Sequence, residues 1–261
     1  MKKIITVSSF VLLIGAGCSS EKTTKTDEPK TVAVQKEKVK EKEKEKELTA
    51  KDIFTKATDN FKKEEHVTMT CDLNTKALNM SVDTKIKAQF EPNKGNSRTE
   101  MNMNDTNVII FDVGGKIAAE VKDPNSGKFV PVPADQLNQV NANDFKTSKN
   151  TIEELEKTLQ LTDKMKVEKD GDKYKLSFQL NGQEAKDYLF SVNANAKKTF
   201  ERQQATVDSL HVEYIITKEF KIESIKTNAE MKANKDALQI VGDTKISYNE
   251  KFDPIQLPKG N

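Results

Sequence analysis

Met80-Ser81-Val82-Asp83-Thr84-Lys85-Ile86-Lys87-Ala88-Gln89-Phe90 alternates apolar and polar side chains, with Met80, Val82, Ile86, Ala88 and Phe90 on one parity. Ser81, Asp83, Lys85, Lys87 and Gln89 take the other. A period of two is the mark of an extended strand with one face in a core and one in water, because successive side chains leave a pleated backbone on opposite sides. A wet face is the habit of antiparallel sheets rather than of parallel sheets covered on both sides. Immediately upstream, Met69, Cys71 and Leu73 alternate with Thr68, Thr70 and Asp72 in the same way.

Working outward, the pattern predicts strands over 98–103, 108–113, 116–122 and 128–132. Gly114-Gly115 and Asp123-Pro124-Asn125-Ser126-Gly127 supply the turn residues that join the last three as hairpins. A short turn is expected near 134–139. A helix follows over 151–159, carrying Ile152, Leu155 and Leu159. Period two returns at Met165 and Val167, and again at Tyr174, Leu176, Phe178 and Leu180, across a turn at Lys169-Asp170-Gly171-Asp172. After Gly182 a stripe of Ala185, Leu189, Val192, Ala196 and Phe200 predicts one helix reaching about Gln204.

Three long alternating segments close the chain. Leu210, Val212, Tyr214 and Ile216 share a face in the first. In the second, Phe220 and Ile222 give way to Ile225, Ala229 and Met231 by a switch of parity, which predicts a bulge near Ser224. Leu238, Ile240, Ile246 and Tyr248 mark the last, ended by Pro254 and Pro258. Ahead of all the strands, Thr49 is placed to cap a helix running to about Lys63, with Ile53, Phe54, Ala57 and Phe61 on its apolar side. The expected fold class is α+β: roughly ten strands in a large curved antiparallel sheet, a half-barrel, with three helices covering its concave face.

The first residues say where such a domain would sit. Lys2 and Lys3 precede an apolar run, Ile4 to Ile14, that is short for a membrane span and ends in small residues, the anatomy of an export signal. Ile14-Gly15-Ala16-Gly17-Cys18 resembles a bacterial lipobox, with Gly15 where that motif usually carries Leu. The resemblance implies cleavage after Gly17 and a diacylglyceryl group on the Cys18 sulfur. Two acyl chains give stable anchoring where one does not.

From Glu21 to Glu47 there are nine Lys and eight Asp or Glu with almost nothing apolar, so the segment cannot offset its own ordering entropy and should stay solvated. The expected organisation is a signal peptide at 1–17, an acylated cysteine and charged tether at 18–48, and a domain at 49–261. The membrane, reached through Cys18 on the extracytoplasmic side, is the first expected partner.

Composition narrows the chemistry. The net charge of +2 falls to zero once Lys2 and Lys3 are removed, which gives no electrostatic footing for nucleic acid. Two cysteines, one of them acylated, leave no disulfide framework and no cysteine-rich zinc site. His66 and His211 fit no metal-ligand spacing and are expected to face solvent. Cys71 shares parity with Met69 and Leu73 and is expected to be buried and inert. Gly114-Gly115 lacks the frame of a phosphate loop, and Glu153, Glu154 and Glu156 read as the solvated side of a helix. No cofactor and no enzymatic activity are expected.

With lipobox, tether, leading helix, alternating strands, a Gly-Gly hairpin, the Gly127-Lys128-Phe129-Val130-Pro131-Val132-Pro133 strand end and the closing Pro254-Ile255-Gln256-Leu257-Pro258, the chain resembles uncharacterised Gram-positive lipoproteins with a LolA/LppX-like half-barrel. The resemblance implies an apolar cavity between sheet and helices, which characterised relatives use for acyl chains. Met80, Val82, Ile86, Phe90, Met101, Met103, Phe178, Leu238 and Ile240 are the expected lining of such a cavity, on the ground that methionine suits surfaces that accept variable apolar shapes. The function expected is binding of a lipid or another hydrophobic ligand. The alternative is a non-enzymatic interaction or structural module with a filled core, and a cavity of several hundred cubic ångströms would separate the two.

Overall fold

The computed structural model describes residues 48–77, 80–103, 106–134, 136–137, 148–192, 196–234 and 236–258. The signal peptide, Cys18 and nearly all of the tether lie outside the described residues. Helix α1 (Ala50–Lys63) starts as its sequence predicts: the Thr49 hydroxyl accepts from the Asp52 amide at 3.2 Å, and the Asp52 carboxylate accepts from the Thr49 amide at 3.1 Å. This reciprocal box satisfies two donors that a helix N-terminus otherwise leaves open.

Six strands follow: β1 (Val67–Ala77), β2 (Met80–Glu91), β3 (Asn96–Met103), β4 (Thr106–Val113), β5 (Lys116–Lys122) and β6 (Phe129–Pro131). Next come α2 (Ser148–Thr158), a 3-10 turn (Leu159–Lys164), β7 (Lys166–Asp170), β8 (Lys173–Asn181), α3 (Gly182–Val192) and α4 (Ala196–Arg202). The chain closes with β9 (Thr206–Thr217), β10 (Ile222–Ala233) and β11 (Asp236–Ser247). The single helix expected after Gly182 is thus described as two, and α2 begins three residues before its expected start.

All eleven strands form one open antiparallel sheet in the order β6-β5-β4-β3-β2-β1-β11-β10-β9-β8-β7. The first and last halves of the chain each make a meander, joined where β1 pairs with β11. Gly114 and Gly115, with φ of 59° and 80°, form the two-residue hairpin between β4 and β5, a left-handed pair that glycine adopts without steric cost. The parity switch in β10 is also present, as a register shift between Ile222 and Ser224.

Register brings one side chain from every strand into a single row on one face: Val130, Val121, Val108, Met101, Ile86, Cys71, Thr244, Ile225, Tyr214, Leu176 and Val167. Strands lie about 4.8 Å apart, so the row runs roughly 50 Å. Helices pack on this same face. The Phe54 ring of α1 meets Tyr214 edge-on at 4.9 Å, and Tyr188 of α3 meets Phe178 at 5.7 Å. Ala185, Leu189, Val192 and Phe200 are buried, as the apolar stripe requires. At the far end of α1, Asn60 donates to the carbonyls of Glu219 and Phe220, and the Tyr248 hydroxyl donates to the Ile222 carbonyl at 3.0 Å.

The opposite face is covered in one region. Ile109, Phe111 and Ala118 of β4 and β5 are buried there beneath Ile255, with Phe252 and Leu257 alongside. Strand β11 ends at Ser247, well ahead of Pro254 and Pro258, and the tail that follows it forms a strap. His66 belongs to this packing and is not a free surface group: its ring meets Phe252 edge-on at 4.6 Å, and its Nδ1 is buried. His211 is exposed, as expected.

Glu91 anchors the strap. Its side chain is 1% exposed, and it accepts from Lys94 Nζ at 2.6 Å, from Asn96 Nδ2 at 3.0 Å and from the Ile255 backbone amide. Burial alone would raise the pKa of this carboxyl. The hydrogen bonds from Lys94 and Asn96, the Lys94 charge and the Ile255 amide together outweigh it and hold the carboxyl below its ordinary value.

A carboxylate depressed in the folded state contributes stability above its unfolded pKa, about 4.3 for Glu, and that contribution is lost as pH falls through the folded value. Glu91→Gln is expected to cost about 1.5–3 kcal/mol at neutral pH, the range for a charge-assisted buried hydrogen bond. Urea unfolding followed from pH 7 to pH 3 should show a shallower acid loss in the variant than in the wild type, and hydrogen exchange at the Ile255 amide should accelerate in it.

Candidate functional site

At the middle of the inward face, β2, β1, β11 and β10 place a run of small side chains next to one another. Ala88 lies opposite Met69, Cys71 opposite Ile86 and Thr244, and Gly242 opposite Leu73 and Thr227. Where large residues would meet the helices, these leave a shallow seat. Its floor is Met69, Cys71, Leu73, Ile86, Ala88, Ile225, Thr227, Gly242 and Thr244, and Glu154 of α2 is also part of its lining. The space has a volume of about 40 Å³, room for a few water-sized groups.

Gly242 is one reason the seat exists. A Cβ on it would lie 2.9 Å from Leu73 Cδ2, so any larger residue would drive the leucine tip aside. Cys71 is half-buried, not fully buried as its parity implied, because it opens on this space. Glu154 also departs from expectation. It is half-buried and lines an apolar pocket, while its neighbour Glu156 is exposed and pairs with Lys62 of α1 at 2.7 Å.

Beside the seat, Thr158, Tyr188 and Tyr214 form a hydroxyl cluster. The Thr158 hydroxyl donates to the Glu154 carbonyl at 2.8 Å and lies 2.9 Å from the Tyr188 hydroxyl. Both phenols are held well above their ordinary pKa. For Tyr188, burial is the main cause and the Glu154 charge adds to it; for Tyr214, burial is followed by Tyr188 and then Glu154. These tyrosines act as neutral hydrogen-bonding groups, and neither is poised as a base.

Of the expected lining residues, Ile86 lines the seat. Phe90, Phe178, Leu238 and Ile240 share its face but are packed into the main core. Met101 belongs to a smaller cluster with Val108, Ile110, Ala119 and Val132 near the β6 edge. Val82 is buried, and Met80 and Met103 are half-buried. The seat is made by small residues that sequence reading passed over; their signal, an in-facing parity occupied by Cys, Ala, Gly and Thr, becomes visible only once strand register is known. Among the described residues no group of three or more His, Cys, Asp or Glu could hold a metal ion, and no helix is long and apolar enough to cross a membrane.

A family model matches residues 32–259. The chain belongs to the family of unknown function DUF6612. No curated protein matches this DUF6612 chain. Among solved structures it is similar to LprF from Mycobacterium bovis, with 11% identity over 78% of this chain and 95% of that one and a TM-score of 0.42. LppX from Mycobacterium tuberculosis matches with 11% identity over 78% of this chain and 97% of that one, at a TM-score of 0.34. A LolA superfamily protein from Nitrosomonas europaea matches with 12% identity over 79% of this DUF6612 chain and 96% of its own, at 0.32.

The hydroxyl cluster is testable by contrast. Thr158→Val removes one hydroxyl partner of Tyr188 and leaves it Tyr214, so it is expected to cost about 0.5–1.5 kcal/mol by urea denaturation, the net worth of one hydrogen bond. Thr58→Val, at a buried threonine whose hydroxyl has no hydrogen-bond partner among the described residues, is expected to be neutral or stabilising by the same measurement.

Proposed function

We propose that this protein is a lipid-anchored, extracytoplasmic, non-enzymatic carrier or receptor for an acyl-chain amphiphile. In this reading residues 1–17 are a removed signal, Cys18 carries the diacylglyceryl anchor, 18–48 is the tether, and 49–261 is a half-barrel with the helices on its concave side. The observation that carries the reading is the apolar seat at the centre of an eleven-strand apolar row, floored by small residues.

A seat of about 40 Å³ is well below the several hundred cubic ångströms of ordinary ligand sites, so an acyl chain enters only as α2 moves outward. That helix is held by the Lys62–Glu156 ion pair, by Thr158 against Tyr188 and by Lys157 Nζ donating to the Ser191 carbonyl. These polar contacts are weak, and they act together with Leu155 and Ile152 of α2 packed on the core; an incoming chain offsets them at roughly 0.8 kcal/mol per buried methylene. Ile86, Met101 and Val108, in line with the seat along the same row, would extend the contact surface toward β4.

The small volume also favours a second reading, a closed module displayed on a stalk for contact with other proteins. Native mass spectrometry of protein purified without detergent separates the two. Co-purifying lipid is expected, and Cys71→Phe, which fills the seat, is expected to remove it while the chain stays folded. Clean spectra from the wild type, before and after incubation with membrane lipid extract, would instead support the module. In cells, Cys18→Ser is expected to abolish incorporation of labelled palmitate and to release the protein from the membrane fraction.

A further inference from the structure

Among the described residues, the large apolar side chains most open to solvent are Phe129 at 37%, Val130 at 43%, Val167 at 39% and Val241 at 40%. Two of these stand apart in polar surroundings. Val241 lies on the outer face between Asn74 and Asn228, and Val167 on β7 is flanked by Lys166 and Glu168. Phe129 and Val130 are neighbours on β6, and every residue from Pro124 to Pro131 is exposed with them.

The hairpin that presents this pair is well built. Asp123 donates its amide to the Lys128 carbonyl at 2.8 Å, and Gly127 donates to the Asp123 carbonyl at 2.8 Å. The Asp123 carboxylate accepts from the Asn125 and Ser126 amides at 2.7 and 3.0 Å, so the acid of the turn is used inside it, while Lys122 and Lys128 are exposed on either side. An apolar pair framed by lysines suits the boundary between acyl chains and anionic headgroups.

Backbone geometry argues against a strand-adding protein partner at this edge. Val132 donates to the Ala119 carbonyl at 2.8 Å, so by antiparallel alternation Val130 also bonds to β5, and Phe129 and Pro131 face the free edge. Proline has no N–H, which leaves Phe129 the single amide donor on that edge of β6. A pairing strand would find little to bond, whereas a lipid interface penalises an edge for each unsatisfied polar group, and this edge carries few.

Resting on the proposed Cys18 anchor, we infer that the β5–β6 hairpin docks on the bilayer, with Phe129 and Val130 at the acyl boundary and Lys122 and Lys128 among anionic headgroups. Reach permits it: thirty residues separate Cys18 from Leu48 and span at most about 100 Å, against a row of roughly 50 Å across the sheet. Composition selects the edge, because β7 at the other end exposes Glu168 and Asp170, which an anionic surface repels. Val130 is also the last member of the apolar row, so docking sets the open end of that row against lipid.

The chain has no tryptophan, so one introduced at the hairpin reports alone. Full-length protein purified from membranes is reconstituted on vesicles of phosphatidylglycerol and phosphatidylcholine, and flotation shows independently whether it is anchored. Phe129→Trp is expected to shift its emission to the blue and to lose about half of it to bromine placed high on the acyl chains, since interfacial burial reaches about 5–10 Å. Val130→Trp is a second probe of the same site and should behave alike. Val167→Trp and Val241→Trp are expected to remain unquenched. On vesicles of phosphatidylcholine alone the quenching at position 129 should weaken; equal quenching there overturns the role of the lysines.

Floating protein with no quenching at 129 or 130 overturns the docking and leaves the anchor standing. Equal quenching at all four positions overturns the assignment of this edge. Protein that does not float overturns the anchor, and the inference falls with it.

Discussion

Side-chain register across the sheet is the constraint on which the rest of this structure depends. A slip of one residue in any pairing would turn that strand's apolar set to water and its charges to the core. Ten consecutive pairings hold, and the result is one apolar face that no strand could build alone. The seat is a product of that agreement, because Cys71, Ala88, Gly242 and Thr244 make a hollow only when three strands bring them side by side.

Such a wide open sheet has two free edges, and the chain treats both with care. Every residue of β7 is exposed, and the strand carries Lys166, Glu168, Lys169 and Asp170. At the other end β6 has only three residues and ends in Pro131. Charge, brevity and proline discourage pairing with another chain. The second face is exposed over most of its area; its apolar cluster lies on β4 and β5, where the C-terminal strap covers it, held through Glu91.

Much of the fold was legible because alternation is a local property. The strands, the Thr49 cap, the Gly114-Gly115 hairpin and the bulge near Ser224 each declare themselves within a dozen residues. The strap was not legible: Phe252 and Ile255 look like an ordinary tail until their partners are known. A clue existed in Val108-Ile109-Ile110-Phe111, whose unbroken apolar run breaks the period of two and reports a strand covered on both sides. The candidate site was least legible. Large residues such as Phe90 and Ile240 were the natural choice for a lining, yet they are the filled core, and an empty place is defined by what is small. On its own helix Glu154 looks like a solvated acid, and only the sheet beneath α2 makes it part of a pocket lining.

The burial of aromatic hydroxyls has a spectroscopic consequence. Of four tyrosines in a chain without tryptophan, Tyr188, Tyr214 and Tyr248 all resist ionisation, mainly because they are buried. In the unfolded chain they would lose their protons near pH 10, so alkali favours unfolding progressively above that point. Phenolate absorbance in this protein therefore reports less on solvent pH than on whether the helices still rest on the sheet.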